Sequence, residues 1–243
     1  MKKYEFDYNK KTNIHMKINP KSAEILTKWY LRFNGYFIVE NFIIHAADDK
    51  DRIHKGEVLN YSEVDLLAIR HKYSSEISGI VSIENDVNLI EENEYEIDFI
   101  IGETKTGNQD SANKIWKHKN LLAIEYLIRF AGFIEDKNKV NLIAKKLLEN
   151  RNYKDEDLKY KIRLIIFSEN NLNKNFTDTK NIKILDIINF MCNRGECWKD
   201  KNIGFKSKHS QWDPLINEII KVTNDQILTT DSKTEKIMSI MSR

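Results

Sequence analysis

Residues 97 to 105, IDFIIGETK, form a nearly continuous apolar run that ends in an acid and a base, Glu103 and Lys105. Such a run is typical of a strand that is buried on both faces of a sheet. Successive side chains of a strand point to opposite faces, so Ile101, Glu103 and Lys105 are predicted to share one face. Burying an isolated charge there costs on the order of several kcal/mol, and a plain ion pair offsets little of it. The run therefore predicts a central strand whose polar end has a function.

The pattern acid-x-Lys has little meaning by itself, because the chain contains it six times, beginning at positions 48, 103, 135, 157, 178 and 231. Charged residues make up 31% of the chain, with 39 basic against 37 acidic side chains, so chance occurrences are expected. Five of the six lie in polar surroundings, where solvated surface charges explain them. Only Glu103-Thr104-Lys105 ends an apolar strand, which makes it the candidate for a site.

The preceding predicted strand, EVDLLAIR at 63–70, carries a second acid, Asp65, among apolar residues. If this strand pairs with 97–105 so that Asp65 stands beside Glu103, two carboxylates converge as Mg²⁺ ligands do. Such an ion keeps positions open for water and for a phosphate. Lys105 would then hold the attacking water, favour its deprotonation and stabilise the charge that develops on the phosphate.

The rest of the chain predicts alternating helices and strands. Helical spacing of apolar residues predicts helices at 22–34 with Ser22 as its cap, at 111–133, at 139–150, and a last one opening at Asp213-Pro214. β-Branched and aromatic runs predict strands at 36–45, 63–70, 96–105, 161–167 and 181–187, with a hairpin or loop over about 71–95. This order is typical of an α/β domain in which helices flank a central mixed β-sheet.

Length and composition are consistent with one folded domain. The chain has 243 residues, of which 41% are hydrophobic, enough for a core, and no linker-like segment interrupts it. We expect a single domain over 1–243, with a core at about 20–190 and a C-terminal helical extension at about 198–243. Cys192 and Cys197 lack the second ligand pair of a structural zinc site, so they are interpreted as reduced thiols.

The polar N-terminus, MKKYEFDYNKKTNIHMKINP, has no apolar signal segment, and the chain has no apolar stretch of about 18 residues. The expectation is a soluble cytoplasmic protein without a membrane partner.

Asp65 in one strand, Glu103-x-Lys105 at the end of the next, and an acid on a preceding helix resemble the PD-(D/E)XK nuclease superfamily, which has the restriction-endonuclease-like fold. The segment AEILTKWYLRFNGYFIVEN at 23–41 is similar to the opening of small predicted endonucleases related to archaeal Holliday-junction resolvases. SEVDLLA and GETKTG are similar to their Asp and Glu-x-Lys strands. The resemblance covers roughly residues 20 to 135.

The resemblance implies a nuclease that hydrolyses phosphodiester bonds with Mg²⁺ or Mn²⁺, with DNA as the expected substrate. It implies that Asp65 and Glu103 bind the metal, often with the carbonyl oxygen of Thr104, and that Lys105 is the catalytic lysine. Glu24, on the first helix, would be an accessory acid that orients Lys105 or binds a second metal through water. The implied setting is bacterial anti-phage defence, restriction or repair.

Glu24 and the neighbouring strand acid Glu63 also have simpler interpretations. Glu24 is equally well explained as a first-turn acid that is favourable to its helix dipole, and Glu63 as a surface charge at a strand end. The same fold could also belong to a catalytically inactive nucleic-acid-binding or scaffold subunit. The residues after about 135 exceed a minimal nuclease core, and could form the far edge of the sheet, a homo-oligomer surface or a contact to a regulatory protein partner.

Two basic segments are candidates for nucleic-acid contact. The helix starting KIWKHKN is predicted to present three lysines to phosphates with help from its N-terminus: Lys114, Lys117 and Lys119. The segment 198–212 interleaves four lysines with aromatic residues, which suits backbone neutralisation or base stacking: Lys199, Lys201, Lys206 and Lys208 with Trp198, Phe205 and Trp212. A solvated charged face is the alternative for both segments, with Trp116 in the core.

Overall fold

A computed structural model describes residues 17–44, 62–78, 81–90, 95–107, 112–172, 179–200 and 212–243. The elements in these ranges are α1 Pro20–Phe33, β1 Phe37–Ile44, β2 Ser62–His71, β3 Glu76–Ser78, β4 Val81–Ile83, β5 Ile97–Lys105, α2 Lys114–Lys117, α3 Leu121–Ala131, α4 Lys137–Asn150, β6 Asn152–Lys154, β7 Tyr160–Ser168, β8 Lys180–Lys183, α5 Ile184–Asp200, α6 Pro214–Thr223 and α7 Thr230–Met241. None of the helices in these ranges is both long and apolar enough to cross a membrane.

The sheet has six strands of mixed direction. β1, β2 and β5 are consecutive antiparallel neighbours, and β7 lies parallel to β5 on the far side. On the other side of β7, β6 pairs with its first half in antiparallel fashion, and β8 pairs with its second half in parallel. The predicted α/β architecture, a mixed sheet flanked by helices, is confirmed. Within the predicted hairpin or loop region, β3 and β4 form a separate antiparallel hairpin.

The two faces of the sheet are covered by different helices. On one face, α1, α5, α6 and α7 pack over Leu66, Ile100 and Phe167. On the other face, α2, α3 and α4 pack over Phe99 and Ile166. Because helices cover both faces, β5 and β7 are buried at nearly every position, and the apolar runs in the middle of these strands lack a clean alternation.

The alternation of β1 and β2 changes sides where Asn41 and Asp65 lie across from each other. Glu40 pairs with Leu66 and Phe42 with Val64, on either side of this position. Leu66 packs in the core on the α1 side, whereas Val64, two residues away, packs in the core on the α3 side. Asn41 has φ 51°, in the left-handed region that asparagine tolerates better than most residues. The twist at this position takes Asp65 out of the regular alternation.

Buried charged and polar side chains bond to one another at the start of β5, the end of the strand away from Glu103 and Lys105. Arg163 on β7 donates from Nε and Nη2 to the Asp98 carboxylate at the start of β5, with distances of 3.1 and 2.6 Å. The Tyr36 hydroxyl donates to the same carboxylate at 2.7 Å, and Arg163 also donates to the Leu89 carbonyl at 2.9 Å. Each Asp98 oxygen therefore has a partner, which offsets the cost of its burial.

Two predicted helix boundaries are wrong, because asparagine side chains cap these helices at other positions than expected. The first helix begins at Pro20, not Ser22, because the side chain of Asn19 accepts the Lys21 N–H at 3.0 Å and proline suits the first turn. The single helix predicted at 111–133 is two helices. Lys119 has φ 51°, and Asn120 starts α3 by accepting the Ala123 N–H at 2.9 Å.

The predictions for the C-terminal half are only partly correct. The strand predicted at 181–187 ends at Lys183, because Ile184, Ile187 and Ile188 are buried at helical spacing and open α5. The helix at Asp213-Pro214 is confirmed, although the Asp213 carboxylate accepts the Trp29 Nε1–H at 2.6 Å and makes no capping bond. It is not the last helix, since α7 follows.

Gly102 allows close contact between β5 and β2 just before Glu103. A Cβ at Gly102 would lie 2.7 Å from Leu66 Cγ and 3.3 Å from Phe167 Cε2, inside the core. We predict that Gly102→Ala lowers the free energy of unfolding by about 1–3 kcal/mol through overpacking, measured by urea denaturation.

The control is the same substitution in a Leu66→Ala background, where the space around position 102 is open. Gly102→Ala should be much less destabilising there, because the clashing atoms are gone. An equal loss in both backgrounds would contradict this account of the contact.

Candidate functional site

β2 and β5 bring Asp65 next to the Glu103-x-Lys105 segment. Their last register pair is Leu66 with Gly102, which places Asp65 and Glu103 at the next position. Here Asp65 Oδ2 accepts the backbone N–H of Thr104 at 2.6 Å. The two strands are thus neighbours, as the predicted carboxylate pair requires.

Glu103 is completely buried, and its carboxylate is only partly bonded. Oε2 accepts the Asn113 N–H at 2.8 Å and lies 3.1 Å from Lys105 Nζ. Oε1 is buried and has no hydrogen-bond partner among the described residues. Burial raises the pKa of Glu103, with a smaller contribution from Asp65, while the Lys105 ammonium and the Asn113 N–H oppose the rise. A buried carboxylate oxygen that has no hydrogen-bond partner among the described residues is well suited to bind a cation.

Lys105 lies on the same face as Glu103, as the strand alternation predicts. Its side chain is 12% exposed, so most of the side chain is shielded from water. A lysine in this position provides a fixed positive charge beside the carboxylates and still has access to solvent.

Thr104 places its backbone toward β2. In an extended strand the N–H and C=O of one residue point to the same side, so the Thr104 carbonyl shares the side of the N–H that Asp65 accepts. The third predicted oxygen ligand is therefore on the Asp65 side of β5.

Glu24 lies on α1, and its partly exposed carboxylate is close enough to the other site residues to be affected by their charges. Partial burial raises its pKa, and the charges of Asp65, Glu63 and Glu40 raise it further, while Lys105 lowers it. The negative charges of Asp65 and Glu63 therefore both act on the Glu24 carboxylate.

Asn113 is a site residue that the sequence analysis missed. Its N–H donates to Glu103, its Oδ1 accepts the Ile115 N–H at 3.0 Å to cap α2, and its Nδ2 donates to the Glu63 carbonyl at 3.0 Å. One residue therefore fixes Glu103, α2 and the start of β2 together. An asparagine directly before KIWK is a capping signal, but the long helix predicted from Ser111 concealed it.

This contact bears on the first prediction about nucleic acid, which the structure does not test. Two N–H groups at the start of α2 are already bonded, that of Asn113 to the Glu103 carboxylate and that of Ile115 to the Asn113 side chain, which leaves fewer of them for a phosphate. The three lysines Lys114, Lys117 and Lys119 are exposed, and Trp116 is buried in the core. Lysine contacts from this segment remain a prediction.

The second basic segment lies largely outside the described residues, namely Lys201, Phe205, Lys206, Lys208 and the side chain of Lys199. Base stacking by Trp198 is contradicted, because Trp198 is buried and donates its Nε1–H to Glu76 Oε1 at 3.0 Å. The Trp212 ring packs 4.7 Å from Trp29 at the edge of the core, which gives it a structural role.

The donor set suits a hard cation. No group of three or more His, Cys, Asp and Glu side chains in the described ranges has the geometry to hold a metal ion. The carboxylates of Asp65 and Glu103, with a backbone carbonyl, nevertheless match Mg²⁺, which takes few protein ligands and keeps several waters. Glu103 Oε1, buried and unpartnered among these residues, is the atom that such an ion would satisfy.

Neither the family models nor the curated proteins nor the solved structures include a match to this chain. The interpretation of the site therefore depends on its own geometry.

A metal titration tests the carboxylate pair without any substrate. At ten times its Kd, Mn²⁺ should stabilise the protein by about 1.4 kcal/mol and raise the midpoint of thermal unfolding by roughly 3–6 °C. Asp65→Asn and Glu103→Gln should each remove most of this shift, because the amides keep shape and an acceptor oxygen but not the charge.

The matched control is Glu63→Gln, which neutralises an exposed carboxylate two residues from Asp65. It should keep the Mn²⁺ shift. An equal loss of the shift in all three variants would indicate a general charge effect and contradict a defined site.

Proposed function

We propose that this protein is a metal-dependent nuclease with the restriction-endonuclease-like fold, which hydrolyses phosphodiester bonds in DNA. The observation that carries the proposal is the arrangement at the end of β5. Glu103 is buried between Asn113 and Lys105, with one oxygen unpartnered among the described residues and with Asp65 on the adjacent strand. The acid-bearing helix α1, the antiparallel strands β1, β2 and β5, and the parallel strand β7 support the proposed fold.

Asp65, Glu103 and the Thr104 carbonyl would hold Mg²⁺ or Mn²⁺. When bound, the ion would act as a Lewis acid toward the phosphate and lower the pKa of the attacking water. The role of the two carboxylates is to fix the position of this charge. Their placement on neighbouring strands makes the site rigid, because the backbone of β2 and β5 sets their separation.

Lys105 would contribute a second positive charge on the same face. As water attacks phosphorus, a new P–O bond forms, the bond to the leaving oxygen breaks, and negative charge grows on the phosphate oxygens. A preorganised ammonium with little exposure stabilises that charge more strongly than it would in water. Glu24 would act as an accessory acid that orients Lys105 or binds a second metal through water.

The proposed DNA contacts are made by lysines of the two basic segments. The three α2-region lysines are exposed a short distance along the chain from Asn113, which bonds Glu103. The four lysines of the second segment remain candidates for backbone neutralisation. A role in anti-phage defence, restriction or repair is part of the same proposal and follows from the resemblance described above.

A second candidate function is a catalytically inactive nucleic-acid-binding or scaffold subunit. It is favoured by the 3.1 Å ion pair, in which Lys105 neutralises the carboxylate that would otherwise bind metal. A protein of this kind would bind DNA without metal and would cleave nothing.

Cleavage of supercoiled plasmid and of single-stranded DNA, with Mg²⁺, Mn²⁺ or EDTA, separates the two. We expect metal-dependent cleavage that falls at least about 100-fold in Lys105→Ala, which removes the preorganised charge. Lys72→Ala is the control, since Lys72 is also ion-paired, to Glu96, near the far ends of the same two strands. Cleavage by Lys105→Ala at the wild-type rate would contradict the role of Lys105, and no cleavage with any metal would favour the second candidate.

The lysines of the α2 region should contribute to DNA affinity and to its dependence on salt concentration. Lys114→Ala with Lys117→Ala should weaken binding of DNA of any sequence and reduce the slope of log K against log salt by about 1–2. The control pair Lys221→Ala with Lys236→Ala changes two exposed lysines on α6 and α7, which pack on the other face of the sheet. Fluorescence anisotropy at several salt concentrations measures both, and equal slopes in the two variants would contradict the contact.

A further inference from the structure

The end of β7 binds the segment that follows Lys105 through three hydrogen bonds. The Glu169 N–H donates to the Lys105 carbonyl at 2.9 Å, and Glu169 Oε2 accepts the Gly107 N–H at 2.7 Å. The next residue, Asn170, donates its Nδ2–H to the Gly107 carbonyl at 2.7 Å. Both backbone groups of Gly107 are therefore bound by two consecutive residues that directly follow β7.

Gly107 lies in a turn, two residues after the end of β5. Its φ is 61°, in the left-handed region that favours glycine, and a Cβ there would approach only Lys17 Cε, at 3.8 Å. Glycine is therefore explained by the conformation and not by lack of space. The bonds from Glu169 and Asn170 hold this turn and, through it, the end of the strand that carries Glu103 and Lys105.

The other oxygen of Glu169 faces a different segment. Oε1 accepts the Ile18 N–H in a longer contact of 3.5 Å. Ile18 directly precedes Asn19, the N-cap of α1, and α1 carries Glu24. A single carboxylate thus contacts both the segment after Lys105 and the segment before the Glu24 helix.

We propose that Glu169 is a positioning residue that fixes the end of β5, with Lys105, relative to the start of α1, with Glu24. Glu169 does not contact the reacting atoms in this assignment and acts through the backbone of Gly107 and Ile18. The inference rests on the proposed nuclease function, because positioning matters here only if Lys105 takes part in a reaction. Displacing a catalytic group by about 1 Å costs a rate factor on the order of 100.

Asp136 provides a matched control. Its carboxylate also accepts two backbone N–H groups, those of Asn138 and Lys139, at the start of α4. That helix starts close to Asp155 and Tyr160, at the opposite end of β7 from Glu169. Asp136→Ala therefore removes the same kind of anchor without touching the site.

The test compares the cleavage kinetics of Glu169→Ala, Glu169→Gln and Asp136→Ala. We expect Glu169→Ala to lower kcat about 10–100-fold with the KM for plasmid changed less than about twofold, because only positioning is lost. Glu169→Gln keeps an oxygen for the Gly107 N–H and should recover to within about threefold of wild type. Asp136→Ala should keep its kcat within about twofold of wild type. Wild-type kcat in Glu169→Ala, or an equal loss in Asp136→Ala, would overturn the inference while leaving the nuclease in place.

Amide hydrogen exchange of the metal-free protein gives a readout that does not depend on cleavage. In Glu169→Ala, the amides of Gly107, Thr104 and Asn113 should exchange faster than in wild type, because the site loosens as a unit. In Asp136→Ala they should not change. If the wild-type protein cleaves nothing, the proposed function fails. Unchanged exchange at Thr104 and Asn113 in Glu169→Ala would separately overturn the positioning.

Discussion

The burial of the Glu103 carboxylate is the constraint on which the rest of the site depends. A buried carboxylate needs several bonds to offset the loss of water, and Glu103 has two partners on one oxygen, Asn113 and Lys105. Those two partners explain the local structure. Asn113 donates to Glu103 and caps α2, and Lys105 stays in the extended strand two residues after Glu103, so that both side chains lie on one face. Asp65 completes the arrangement by accepting the N–H of Thr104, the residue between Glu103 and Lys105.

The two ends of β5 show how the same chemistry can serve structure or function. Asp98 is buried at the start of the strand, where Arg163 and Tyr36 supply a bond to each carboxylate oxygen. Glu103 is buried at the other end with an oxygen that has no partner among the described residues. The first acid holds strands together, whereas the second has unused bonding capacity beside another carboxylate. This difference, rather than burial alone, marks the candidate site.

Much of the fold and part of the candidate site could be predicted from the sequence. The apolar run of β5 predicted a central strand, and its alternation predicted that Glu103 and Lys105 share a face, which their ion pair shows. Asn113 and Glu169 were not predictable in the same way. Asn113 acts through a helix start that competing helical periodicity concealed. Glu169 lies 62 residues from Gly107 and 151 from Ile18, so only the folded register brings them together. Likewise, the break at Lys119 is a backbone conformation that side-chain periodicity does not encode.

The most direct measurement of the central claim is the position of a bound ion. A crystal soaked with Mn²⁺ should show an anomalous difference peak bonded to Glu103 Oε1 and to an Asp65 oxygen, at about 2.0–2.3 Å from each. Such a peak would show that the unpartnered oxygen is a metal ligand. A peak bonded only to surface carboxylates, or an intact Glu103–Lys105 ion pair with no ion beside it at saturating Mn²⁺, would contradict the account.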